Sequence, residues 1–227
     1  MNGVCCCSQE ALHGREHEFY NHQLAKQLPI TKFLGKVVEF ITHGVVPRMG
    51  KARALGATVA LEHWTALLAG VLLEDEEAML GGARDTRFGL IWRWHAMEET
   101  EHKAVAFDVF ERCYGRGIYA YLRRCWSLII SSVIFWTLVP GFFLCLIVQD
   151  RSVFNLREWA RLLAFLFWRP GALGCSFRPF LDFFRFDYHP WDHNNVDKIA
   201  GMEELAKRLA AFDANEDHGE VLSAAAE

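Results

Sequence analysis

The chain has no excess of positive charge, and that absence removes a broad class of partners first. Its 227 residues carry 24 Lys and Arg against 28 Asp and Glu, a formal net charge of −4. Nothing in it resembles the basic face expected of a nucleic-acid binder. Cysteine has no useful pattern: the seven thiols are an odd number and none sits at metal-finger spacing. A disulfide framework is therefore not expected, and a reducing compartment is the simpler setting. Cys5, Cys6 and Cys7 are adjacent and cannot readily converge on one tetrahedral metal. No charged n-region followed by an apolar h-region marks a signal peptide at the start. Glycine and proline are sparse inside the longer segments, strand-like alternation is weak and no repeat is visible. An all-α chain follows, of a length that can bury one substantial core.

What is present is coordination chemistry at helical spacing. Trp94 to His102 contains an H-x-x-x-E-x-x-H pattern made of His95, Glu99 and His102. At about 100° per residue these three fall within about 60° of arc on one helix face. Two imidazoles and a carboxylate suit Fe, Mn or Zn. Glu98 lies about 60° to one side and Glu101 points away, which ranks Glu99 ahead of Glu98.

A second pair, Glu10 and His13 in an E-x-x-H pattern, opens the chain, and His17 follows one turn later on the same face. Glu-x-x-His on two helices of a bundle, with an inward Glu from each of two others, builds carboxylate-bridged di-iron or di-manganese centres. Glu62 shares a stripe with Leu55, Val59 and Ala66, so its carboxylate is expected to face the core. One E-x-x-H pair is commonplace on a solvated face. Two pairs and a core-facing Glu on three segments are not, because buried carboxylates and imidazoles are costly unless paired or metal-bound.

These segments also resemble a known family. Gln9 to Asn21 looks like the Q-E-x-x-H-x-x-E-H-x-x-x-N motif of the bacterial "predicted metal-dependent hydrolase" family. Ala60 to Ala66, Trp94 to Val109 and Tyr188-His189-Pro190-Trp191-Asp192 match that family as well. The ligand spacing is similar to that of ferritin-like di-iron N-oxygenases of the p-aminobenzoate N-oxygenase type. The resemblance implies a ferritin-like helical bundle whose metal ligands are Glu10, His13, Glu62, His95, Glu99 and His102, with His17 and Glu98 ranked behind them. It implies two divalent metal ions, iron first, with manganese or zinc as alternatives. In both groups an earlier helix gives a further Glu, whereas only Met1 to Ser8 precedes the first motif here. The resemblance therefore implies a chain shortened at its N-terminus.

Three functions remain open on this reading. The all-helical ligand pattern favours O₂-dependent oxidation of a small, apolar or lipid-like substrate, drawing on an electron donor. The family's label favours hydrolysis by metal-activated water. The short N-terminus favours a non-catalytic, membrane-associated remnant that lacks the first ligand helix.

Helices are expected over about 8–27, 31–42, 51–73, 85–114 and 196–211. On the fourth of these, Asp108 falls two turns below Glu99 and is expected to support the ligands. Trp126 to Val148 contains no charged residue and is long enough to cross a bilayer. Pro140-Gly141 is expected to kink it or divide it into a hairpin. The amphipathic 156–168 segment follows. Membrane contact through 126–148 is preferred over a buried helical pair, because the surface is so wholly apolar, and the protein is expected in the cytoplasm or attached to the inner membrane. His189 and His193 are disfavoured as ligands because neither sits in a helical ligand pattern. Residues 1–212 are expected to form one helical metal-binding domain, hydrophobic over 126–168, and 213–227 a flexible polar tail.

Overall fold

The computed structural model describes residues 6–209, with side chains from residue 14 onward except that of residue 16. The side chains of Glu10 and His13 and the expected tail at 213–227 lie outside the described residues. Within them every regular element is helical: α1 (Cys6–Gln27), α2 (Ile30–Glu39), α3 (Lys51–Glu74), α4 (Glu76–Leu80), α5 (Arg87–His102), α6 (Val105–Tyr114), α7 (Ile118–Gln149), α8 (Leu156–Phe167) and α9 (Ala172–Asp182). A further helix at 202–209 is labelled α10. The all-α expectation holds, and the architecture is a helical bundle.

α3 is the helix around which the others are arranged. Its sequence is apolar on nearly every side, so it must be enclosed rather than laid on a surface. Val59, Ala60 and Trp64 pack with Phe107 and Phe110 of α6, Ala120 and Leu128 of α7, and with Phe183 and Tyr188. Trp64 Nε1 donates to Ser132 Oγ at 2.8 Å, tying α3 to α7. Further along α3, Ala69 and Leu72 meet Ala96 of α5. α5 in turn packs Leu90, Ile91, Trp94 and Met97 against Leu205 and Leu209 of α10. α5 is thus held between two helices, which is what fixes the rotation of its histidines and carboxylates.

The start of α5 is built locally. Thr86 is its N-cap, its side chain accepting from Gly89 N at 3.3 Å. Gly89 packs so closely on the preceding turn that a Cβ there would stand 2.2 Å from the Ala83 carbonyl oxygen.

Four expectations are corrected. The 85–114 helix is two helices, interrupted by a turn at Lys103 and Ala104. No proline or glycine causes the break. Lys103 is only 6% exposed, and its Nζ donates to His193 O and Asn195 Oδ1, each at 2.5 Å. The backbone gives up its helix where a buried ammonium needs those oxygens. In consequence Asp108 does not sit below Glu99: it is exposed on α6 and paired with His189 Nε2 at 2.9 Å. α7 runs unbroken through the exposed Pro140, so the division into a hairpin does not occur. The 196–211 helix is a 3₁₀ turn, Val196–Ile199, followed by α10. Gly201 separates them at φ +98, a backbone region that only glycine enters readily.

α3 and α7 are both long and apolar enough to cross a membrane by length and composition. They differ in surroundings: 44% of the most apolar stretch of α3 is buried, against 11% for α7. The structure therefore does not enclose 126–148 as a core helix.

Replacing Gly89 with alanine is expected to destabilise the fold by about 1–3 kcal/mol, because the new methyl group meets backbone oxygens that cannot rotate away. A lowered denaturant midpoint with unchanged slope is the expected result.

Candidate metal centre

α5 sets four candidate ligands on one side. Counting from His95 at about 100° per residue, Glu98 lies about 60° one way, His102 about 20° the same way and Glu99 about 40° the other. Both carboxylates therefore flank the histidine pair. His95, Glu98 and Glu99 offer ligand atoms that all lie within 4.8 Å of one another. The imidazole of His95 is shared between them, with Nδ1 3.8 Å from Glu98 Oε2 and Nε2 3.6 Å from Glu99 Oε1. His102 joins through Glu98, its Nδ1 3.3 Å from Glu98 Oε1. Glu98 is 2% exposed, which makes it the most enclosed carboxylate of the group. Glu101 is exposed and faces away.

Two other helices reach this side of α5. From α3, Thr65 Oγ1 donates to Glu99 Oε2 at 2.6 Å while also lying 3.2 Å from Glu62 O. That hydroxyl fixes one oxygen of Glu99 and leaves the other directed at His95. Glu62 itself is half-buried, one turn before Thr65. From α1, the His17 ring stands edge-on to His95, with centroids 4.8 Å apart, and both rings abut Trp92. Of the residues expected from sequence, the structure thus gathers His95, Glu99 and His102 with the two ranked behind, Glu98 and His17.

Oxygen and nitrogen donors in this number and spacing suit a divalent first-row metal. A carboxylate as enclosed as Glu98 belongs where cationic partners offset its desolvation.

One comparison with known proteins bears on the broad class. A family model described as "predicted metal-dependent hydrolase" matches residues 4–194. The chain belongs to that family. No curated protein and no solved structure matches it. The match spans α1 through the turn at Pro190–Asp192, so every gathered candidate ligand lies within the part that defines the family.

A second polar cluster lies on another side of α3 and went unread in the sequence. His63, next to Glu62, is 6% exposed, and its Nδ1 lies 3.2 Å from the Tyr188 hydroxyl. Burial pushes His63 down to about 3, helped by the charges of His193 and Arg124, and burial raises the Tyr188 phenol. Near neutral pH the phenol therefore donates to a neutral imidazole. Arg124 of α7 donates to Tyr188 O and Arg185 O, clasping the segment after α9. Lys103, pushed down to about 8 by burial, lines the same small cavity of about 40 Å³ with His63, Tyr188 and Asn195. The late Tyr188–Asp192 motif is thus a clasp on α3. His189 accepts from Trp191 N as well as meeting Asp108, and His193 Nε2 is 3.2 Å from Asp182. Neither histidine joins the His95 group.

The buried His63 predicts an acid-sensitive fold. The unfolded chain takes up a proton near 6.5 and the folded one only near 3. Between those values the unfolded state binds more protons, so this contribution to stability is intact above about 6.5 and declines as pH falls. The slope is at most about 1.4 kcal/mol per pH unit. In urea titrations across the weakly acidic range, a His63→Gln variant should show a shallower loss than the parent chain.

Proposed function

We propose that this chain binds two divalent metal ions, iron before manganese or zinc, and uses them in the O₂-dependent oxidation of a small, apolar or lipid-like substrate. The observation that supports the reading best is the grouping of His95, Glu98 and Glu99 on one buried face, with a Thr65 hydroxyl from α3 and a His17 ring from α1 closing over it. Dinuclear sites in ferritin-like bundles draw their carboxylates and imidazoles from four helices, and three helices converge on this cluster. The proposed ligand set is Glu10, His13, Glu62, His95, Glu99 and His102, and the structure adds weight to Glu98 and His17.

When bound, such a pair of ions supplies either redox equivalents for dioxygen chemistry or Lewis acidity toward water. The protein's own groups do the rest. Glu98 and Glu99 offer four oxygens on either side of one imidazole, enough to bridge and to terminate. Thr65 restricts Glu99 to one orientation by holding Oε2. The Trp92 indole walls the two imidazoles, lowering water access on that side. Oxidation by dioxygen also needs electrons from a separate donor protein or reductant.

A second reading keeps the ligands and changes the reaction to hydrolysis of an ester or phosphoester. Its support is the family's description. Metal content decides between them. After anaerobic loading with ferrous iron and desalting, about two irons per chain and substrate-coupled O₂ uptake are expected. Retention of zinc or manganese with ester turnover instead would select hydrolysis. Failure to hold metal under any loading condition would leave a non-catalytic helical protein.

The face of α5 that carries the site is tested separately. Glu98→Ala and Glu99→Ala should each lose most bound metal at unchanged helix content, whereas Glu101→Ala should retain it. Equal loss in all three would mean the wrong face has been assigned.

A further inference from the structure

The outward side of α7 is covered by apolar side chains over which none of the described residues packs. Trp126, Ile130, Val133, Leu144 and Val148 are between 48% and 64% exposed and follow one another on a single helical stripe with Thr137. At 1.5 Å per residue that stripe is roughly 33 Å long. Soluble monomers rarely leave an apolar surface of that extent to water. α8 continues the theme: none of its residues is buried, and Leu156, Phe167 and Trp168 are 80%, 65% and 87% exposed.

Charge says what covers this face. From Ile118 to Arg178 there are seven arginines and two acidic residues, in a chain whose overall excess is acidic. Arg123, Arg151, Arg157 and Arg178 are exposed. An apolar stripe edged with arginine and indole matches the boundary between acyl chains and anionic headgroups. Two copies packed through the same stripe would instead set like-charged edges against each other, since such an interface pairs a patch with itself.

We propose that α7 lies in the plane of an anionic bilayer, its stripe sunk into one leaflet and the bundle standing in water above it. Crossing the bilayer does not fit the packing. α3 and α6 pack against α7 through Trp64, Phe110 and Leu128, and Asp108 and Arg112 are exposed on α6. A transmembrane α7 would draw the helices packed on its first half, with those charges, toward hydrocarbon, which disfavours ionised groups strongly. In-plane helices keep a polar face toward water; here the bundle takes the place of that face. The proposal is independent of which metal is held or which reaction is catalysed.

Flotation with vesicles tests it. The full chain, purified in mild detergent, is mixed with phosphatidylcholine vesicles with and without phosphatidylglycerol. The parent chain should float with both and more completely with phosphatidylglycerol. A variant carrying Ile130→Glu and Val133→Glu, both outside the core, should lose vesicle binding by roughly tenfold or more per residue while keeping its helix content. A parent chain that stays unbound, or a variant that floats as well as the parent, overturns the proposal. So does a detergent-free oligomer that the same variant converts to monomer without any vesicle binding, which would assign the stripe to a second copy.

Discussion

A nearly enclosed carboxylate governs the architecture of this protein. Glu98 is 2% exposed, and a carboxyl group so far from water is tolerated only where hydrogen-bond donors or cations surround it. His95 and His102, one turn before and one turn after it on the same helix, supply those partners, and the packing of α5 sets which way the group faces. The rotation is held from both flanks, by α3 through Ala69, Leu72 and Ala96 and by α10 through Leu205 and Leu209. If α5 turned by one residue, Glu101 would enter the core and the imidazoles would leave it.

α3 carries two kinds of polar chemistry on an otherwise apolar cylinder. Thr65 faces the α5 cluster, where it is hydrogen-bonded to Glu99. His63 faces the Tyr188 clasp, where a neutral imidazole accepts from a phenol. Helical rotation separates Thr65 from His63 and keeps the two environments apart. The result is a side that meets the α5 carboxylates and a neutral hydrogen-bonded side on the same helix. The Lys103 turn serves the second environment at the expense of helix continuity beside the first.

The amphiphilic outer half follows from the same enclosure. α3 needs cover on all sides, and α7 supplies one wall with Ala120 and Leu128. A helix of that composition has apolar residues left over on its far side, and nothing else in the described chain covers them. The arginines of the segment are the reason an anionic lipid boundary is proposed as the cover for that surplus surface.

Much of this was legible in the residues. Helical periodicity read the all-α class, and the spacing of His95, Glu99 and His102 pointed to one face, because three and four residues per turn are local geometry. Glu101 was correctly set aside by the same arithmetic. That arithmetic also placed Glu98 within about 40° of His102, but ranking Glu99 ahead of it took account of one neighbour only. Which of two adjacent carboxylates is enclosed depends on the helices packed alongside, and no local pattern carries that. The same holds for the break at Lys103, made by oxygens about 90 residues later in the chain, and for the company His63 keeps with Tyr188, 125 residues away. Sequence alone determined most of the element types and the shared face of His95, Glu99 and His102, since those rest on contacts within a turn or two. Tertiary structure decided which side chains are buried together, since desolvation is set by neighbours that only folding brings near.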